Sequence, residues 1–141
     1  MWLAVQGDLR FLSHRDCARL IERAAVRAQL PLKYTQGFNP HPVLSLVPPR
    51  PVGVASRDDL LVAWLTQSLD AGAILSALNR QVPRGMEFLH ARELAPGQSP
   101  LPRGIRYEWP IPADRLGTAQ RQAELFAAAA SWPIERSTPA D

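Results

Sequence analysis

The 141-residue sequence has one cysteine, Cys17, and one lysine, Lys33. A single thiol excludes an intramolecular disulfide. It is also too few for an iron–sulfur cluster, which takes several thiolates, or for a cysteine-rich zinc site. The same scarcity suits a reducing compartment, and a cytoplasmic protein is expected. No apolar run approaches the roughly 18 residues of a membrane helix, so no membrane span is expected. The opening "MWLAVQGDLRF" lacks a basic stretch leading into a long apolar one, so no secretory signal is expected either. The near absence of lysine makes arginine fifteen of the sixteen basic residues. Arginine is favoured where phosphate or carboxylate is gripped in a bidentate fork. A GC-rich genome, which the abundance of alanine and proline fits, would leave the same bias.

What remains is the size of one domain, long enough to bury about two-thirds of its unfolded surface without cross-links. The net charge of +3 is uneven. Residues 1–57 carry eight basic side chains against three acids, residues 58–94 carry three against five, and residues 95–141 balance at five each.

"WLAVQG" (2–7) reads as a strand. Ser13 with Asp16 forms a capping box with Asp in the place of Glu. It opens a helix over 15–29, whose residues Cys17, Leu20, Ile21, Ala24 and Ala28 share one face, and Pro31 ends it. "VLSLV" (43–47), "DLLVAWL" (59–65) and "MEFLHARELA" (86–95) read as strands, and 70–82 as a helix capped by Asp70. Strand, helix, strand, strand, helix, strand is the split βαβ, or ferredoxin-like, α+β arrangement over residues 1–95. A single antiparallel sheet with both helices on one face is expected. Its core would draw on Cys17, Leu20, Ile21, Val62, Trp64, Ile74, Leu75 and Leu78, with Trp64 also able to face the open side.

Residues 96–104 read as a linker. A strand at 105–112, a helix at 118–131 and a further strand from 132–136 look like the start of a second unit of the same kind. A lone strand–helix–strand cannot bury both faces. Either this tail packs on the first unit, or the sequence is part of a longer one.

Arg15, Arg19, Arg23 and Arg27 stand four apart on the face opposite Cys17, an arginine stripe suited to phosphates, RNA in particular, or to an acidic partner. Between Lys33 and Val54, five prolines and two glycines surround the second strand. Gly37 permits positive φ, and Pro40 and Pro42 fix φ on either side of His41. Pro48, Pro49 and Pro51 stiffen the exit around Arg50. A bare connection would need stiffness only. Gln36, Phe38, Asn39 and His41 on one rigid loop read as a binding surface. His14, at the first helix's start, and His41 are also candidates for acid–base work, although a strand parallel to the first begins at the sheet end opposite His14.

The run "RFLSHRDCARLIERAAVRAQLPLKYTQGFNPHPVLSLVPPRPVGV" closely resembles the domain of unknown function 2344 family, found fused to or encoded with radical SAM proteins. The likeness covers about residues 3–95. Its motif positions here are Arg10, Ser13, His14, Asp16, Gln36, Gly37, Phe38, Asn39, Pro40, His41 and Pro42. It implies association with a radical SAM protein and no assigned reaction. Radical SAM chemistry uses a cysteine triad, so the cluster and S-adenosylmethionine are expected in a partner, with no cofactor or metal in this chain. The expected role is a non-catalytic accessory or substrate-presenting domain, with RNA or another phosphate-rich ligand as its target. Two alternatives stand beside it, a metal-independent RNA-processing enzyme using His14 or His41, and a structural interaction module. The binding residues would be Arg10, Ser13, His14, Arg15, Arg19, Arg23, Gln36, Phe38, Asn39, His41 and Arg50, gathered into one surface.

Overall fold

The computed structural model describes residues 1–95, 97–98, 100 and 102–131. Four strands, β1 (Trp2–Val5), β2 (Leu44–Val47), β3 (Ser56–Ala63) and β4 (Met86–His90), form one sheet in the order β2-β3-β1-β4. Every neighbouring pair is antiparallel. With α1 (His14–Arg27) after β1 and α2 (Ala71–Asn79) after β3, this is the split βαβ topology and an α+β fold. β1 and β2 run parallel with β3 between them.

Alternation along the strands sorts the two faces. Leu3, Val5, Leu61, Met86 and Phe88 point to one side, where Cys17, Ile21 and Ala25 of α1 and Leu78 of α2 close the core. Leu20, Ile74 and Leu75 pack against it half-buried, as their helical spacing predicts. Trp64 lies beyond the end of β3 and is 41% exposed, so it does not join the core. Val62 is only half-buried and shares the parity of Leu60, away from the face that α1 and α2 close.

The helix starts follow the predicted caps. Ser13 Oγ accepts from Asp16 N at 3.1 Å and donates to the Asp16 carboxylate, and Asp70 Oδ1 accepts from Ala73 N at 2.8 Å. The end of α1 comes before Pro31. Gln29 adopts φ 54°, Gln29 N bonds Val26 O and Leu30 N bonds Ala25 O, a Schellman motif with glutamine where glycine is usual. β3 begins at Ser56 rather than Asp59, and β4 stops at His90, so residues 91–95 leave the sheet.

The chain divides into two compact units, Met1–Gly104 and Ile105–Asp141. In the second, a 3-10 turn (Ala113–Arg115) leads into α3 (Leu116–Ala128). The strand expected at 105–112 is not formed, since no backbone among the described residues pairs with it. The expected strand at 132–136 lies outside the described residues. Among the described residues no helix is long and apolar enough to cross a membrane.

Candidate functional site

The two halves of the motif fold into two places. The first is the start of α1. Arg50 comes back from the proline loop after β2 and is buried against it, where its Nη1 donates to Arg10 O at 3.0 Å and to Val54 O. Its Nε lies 3.4 Å from Asp59 Oδ2, an ion pair with both side chains buried. Gly53 N adds a bond to Arg10 O at 2.8 Å. Arg50 therefore faces inward and ties the loop to the helix entrance; it offers no donor to a surface ligand. Asp59, which gives it its charge partner, was not among the sequence candidates.

Cys17 sits beneath this pair. Burial pushes its thiol up, while the hydrogen bond and charge of Arg50 pull it partly back. Around the entrance, Arg10 stacks its guanidinium 4.7 Å from the centroid of the Phe11 ring, and His14 is half-buried with Nδ1 lacking a hydrogen-bond partner. Along α1, Arg15, Arg19 and Arg23 are exposed. Arg19 reaches Asp16 at 3.9 Å, and Arg15 and Arg23 make no ion pair among the described residues. Arg27 drops out of the stripe, because its Nη2 donates to Gln81 O at 2.7 Å and its Nε to Gln81 Oε1 at 3.3 Å.

The second place is the opposite end of the sheet. Residues 33–43 form a hairpin-like arm. Val43 N bonds Lys33 O at 2.8 Å, Tyr34 bridges Pro42, Thr35 N bonds His41 O at 2.8 Å, and His41 N bonds Thr35 Oγ1 at 3.0 Å. Its base is welded to the end of β3, with Lys33 N on Trp64 O at 2.8 Å and Trp64 N on Val43 O at 3.1 Å. The turn needs Gly37, whose φ of 132° other residues rarely adopt. Gln36, Phe38, Asn39 and His41 are all exposed, and Phe38 is 100% exposed at the tip.

Trp64 also lines a cleft of about 470 Å³ with Trp2, Leu60, Val62, Leu65 and Arg92. The Arg92 guanidinium lies 5.3 Å from the Trp2 ring centroid. The volume falls in the range of ligand pockets, and the lining is more apolar than polar, with Thr66, Gln67, Ser68 and Glu93 beside Arg92. None of these cleft residues was a sequence candidate. Their one signal was the alternation Leu60, Val62, Trp64, which puts three apolar side chains on the face away from the helices.

The start of α1, with Ser13, His14 and Arg15, and the arm lie at opposite ends of the sheet, while α1 runs back from that start along the stripe. Residues 41–43 continue the line of β2 backwards, away from the sheet, and β2 is parallel to β1. The arm thus projects from the end where β1 begins, and His14 and Arg15 lie where β1 has ended. His14 and His41 are likewise apart and form no acid–base pair. Among the described residues no group of three or more His, Cys, Asp or Glu converges as a metal site would.

These features define an α+β domain of split βαβ topology whose motif builds an internally tied helix entrance at one end and an exposed, rigid arm beside a cleft at the other. The chain belongs to the family described as "Uncharacterized protein conserved in bacteria (DUF2344)", whose family model matches residues 1–140. Comparison with curated proteins and with solved structures returned no match.

Proposed function

We propose that the chain is a non-catalytic accessory or substrate-presenting domain that docks onto a radical SAM protein through the arm at residues 33–43. The observation that carries this reading is Phe38, a whole aromatic ring held in water on an arm closed by backbone hydrogen bonds and two prolines. An exposed ring contributes nothing to folding. Presented on a stiff support, it contributes to binding, because little entropy is lost when it enters a pocket. Gln36, Asn39 and His41 supply hydrogen bonds around it. The partner's identity rests on the likeness of the "FLSH" and "QGFNPHP" motifs to domains that accompany radical SAM proteins.

The test is the affinity of the chain for a radical SAM protein of the kind that accompanies such domains. Phe38→Ala should weaken binding at least tenfold, the order expected for an aromatic anchor. Thermal unfolding should not move, since the ring touches no core. Equal affinity of the two proteins would end this reading.

A second reading has its own observation, the exposed and largely unpaired Arg15, Arg19 and Arg23. If these meet three phosphates of single-stranded RNA, log affinity should fall with log salt at a slope of about −2. Unchanged RNA binding after Arg19→Ala and Arg23→Ala together would dismiss it.

A further inference from the structure

The segment from Ile105 to Ile111 alternates without a break. Ile105, Tyr107, Trp109 and Ile111 hold the odd positions, and Arg106, Glu108 and Pro110 the even ones. All four apolar side chains are exposed, at 54, 43, 72 and 47%. The rings of Tyr107 and Trp109 stack with centroids 5.5 Å apart, so they lie on one side of the segment. Such alternation belongs to a strand with one buried face. Among the described residues no strand pairs with its backbone, and the following α3 leaves Leu116 and Leu125 exposed as well.

We propose that residues 105–111 are a self-pairing strand, joining two copies of this chain about a two-fold axis that passes between their two Tyr107 residues. An antiparallel strand can pair with its own copy, and only registers centred on a residue keep the apolar side chains on one face. Centring on Glu108 sets two carboxylates directly opposite, and centring on Arg106 sets two guanidinium groups opposite; both are unfavourable. Centring on Trp109 brings no opposite charges together. Centring on Tyr107 puts Arg106 across from the second copy's Glu108, twice by symmetry, and Ile105 across from the second copy's Trp109. Opposite-charge and aromatic–β-branched pairs are the combinations that stabilise antiparallel neighbours. Glu108 already has an interaction within its own chain, so the Arg106–Glu108 pairs serve register more than affinity.

The prolines agree with this register. If the odd positions exchange backbone hydrogen bonds across the axis, the even positions turn theirs to the outer edge. There Pro110 and Pro112 offer no N–H, so a third strand finds a broken ladder. The assembly closes at two copies, as an isologous interface does.

Sedimentation velocity of the full chain at tens of micromolar should show a dimer. Arg106→Glu should weaken it about tenfold or more, and adding Glu108→Arg to that variant should restore it. Tyr107→Cys should give a disulfide-linked dimer on mild oxidation, because bonded antiparallel neighbours stand about 5.5 Å apart between Cα atoms, within disulfide reach. The one native thiol, Cys17, is buried and will not compete. Trp109→Cys, opposite Ile105 in this register, should not link to itself. A monomer at 100 micromolar overturns the proposal, and slow amide exchange over 105–111 in that monomer would mean that the chain covers the face itself. A dimer indifferent to Arg106→Glu, or one that Trp109→Cys links as readily as Tyr107→Cys, overturns the register and the proposal with it.

Discussion

At the scale of single residues, the most consequential side chain is Arg50, because its charge is held inside. The guanidinium and the Asp59 carboxylate stand 3.4 Å apart with both groups buried. Removing one partner leaves the other charge uncompensated, so Arg50→Met should lower unfolding free energy by about 3–5 kcal/mol in urea titrations. Arg50→Met with Asp59→Leu should recover most of that loss, since a buried pair replaced by apolar groups of like volume is nearly neutral. Cys17 beneath the pair adds a pH dependence. Its thiol is raised by burial, so the folded state holds the proton more tightly than the unfolded chain. Its contribution is fully present below the ordinary thiol range and is lost as pH rises through the raised value. Stability measured from pH 7 upwards should therefore decline through the thiol range, and Cys17→Ala should flatten that part of the curve. In the sequence, Arg50 stands among prolines with no acid near it, and such a residue reads as a surface cation. Its partner comes from a strand nine residues on, brought by the fold.

At the scale of elements, the ends are decided by backbone bonds as much as by composition. α1 stops where Gln29 turns left-handed, two residues before the proline that marks its end in the sequence. Glutamine at that φ is strained relative to glycine, and Gln29→Gly should raise stability by up to about 1 kcal/mol. No loss of helix by circular dichroism should accompany it. β4 shows the opposite device. It is an edge strand, and Asn79 at the end of α2 grips it there, accepting from Phe88 N at 2.8 Å and donating to Phe88 O at 2.9 Å. Asn79→Ala should cost about 1–2 kcal/mol by stranding both groups. It should also speed aggregation on heating, because an open edge is free to pair with other chains. Helix faces, caps and strand alternation were legible because each depends on neighbours within a few residues. Neither the glutamine stop nor the asparagine clamp was, since one hangs on a rare backbone angle and the other on a side chain meeting a distant strand.

At the scale of the whole molecule, long-range pairing decides what local pattern leaves open. The order of elements implied the split βαβ sheet, and with it the parallel run of β1 and β2 that carries the two motif halves to opposite ends. Ile105–Ile111 has the pattern of a strand, but a pattern names no partner. The same distinction makes a prediction about where stability resides. Among the described residues, those that close the core, from Leu3 to Phe88, lie within Met1–Gly104. The unfolding free energy is dominated by apolar area removed from water, and α3 has no buried residue to add to it. A chain ending at Gly104 should therefore unfold in one cooperative transition, with a free energy within about 1 kcal/mol of the full chain's at low micromolar concentration. It keeps the arm and the helix entrance, so it should bind a partner of Phe38 as the full chain does, and it should be monomeric, having lost the strand at 105–111. Urea titration with sedimentation on the two lengths checks both halves. If the shorter chain unfolds several kcal/mol sooner, the core as drawn is incomplete and residues beyond 104 belong to it.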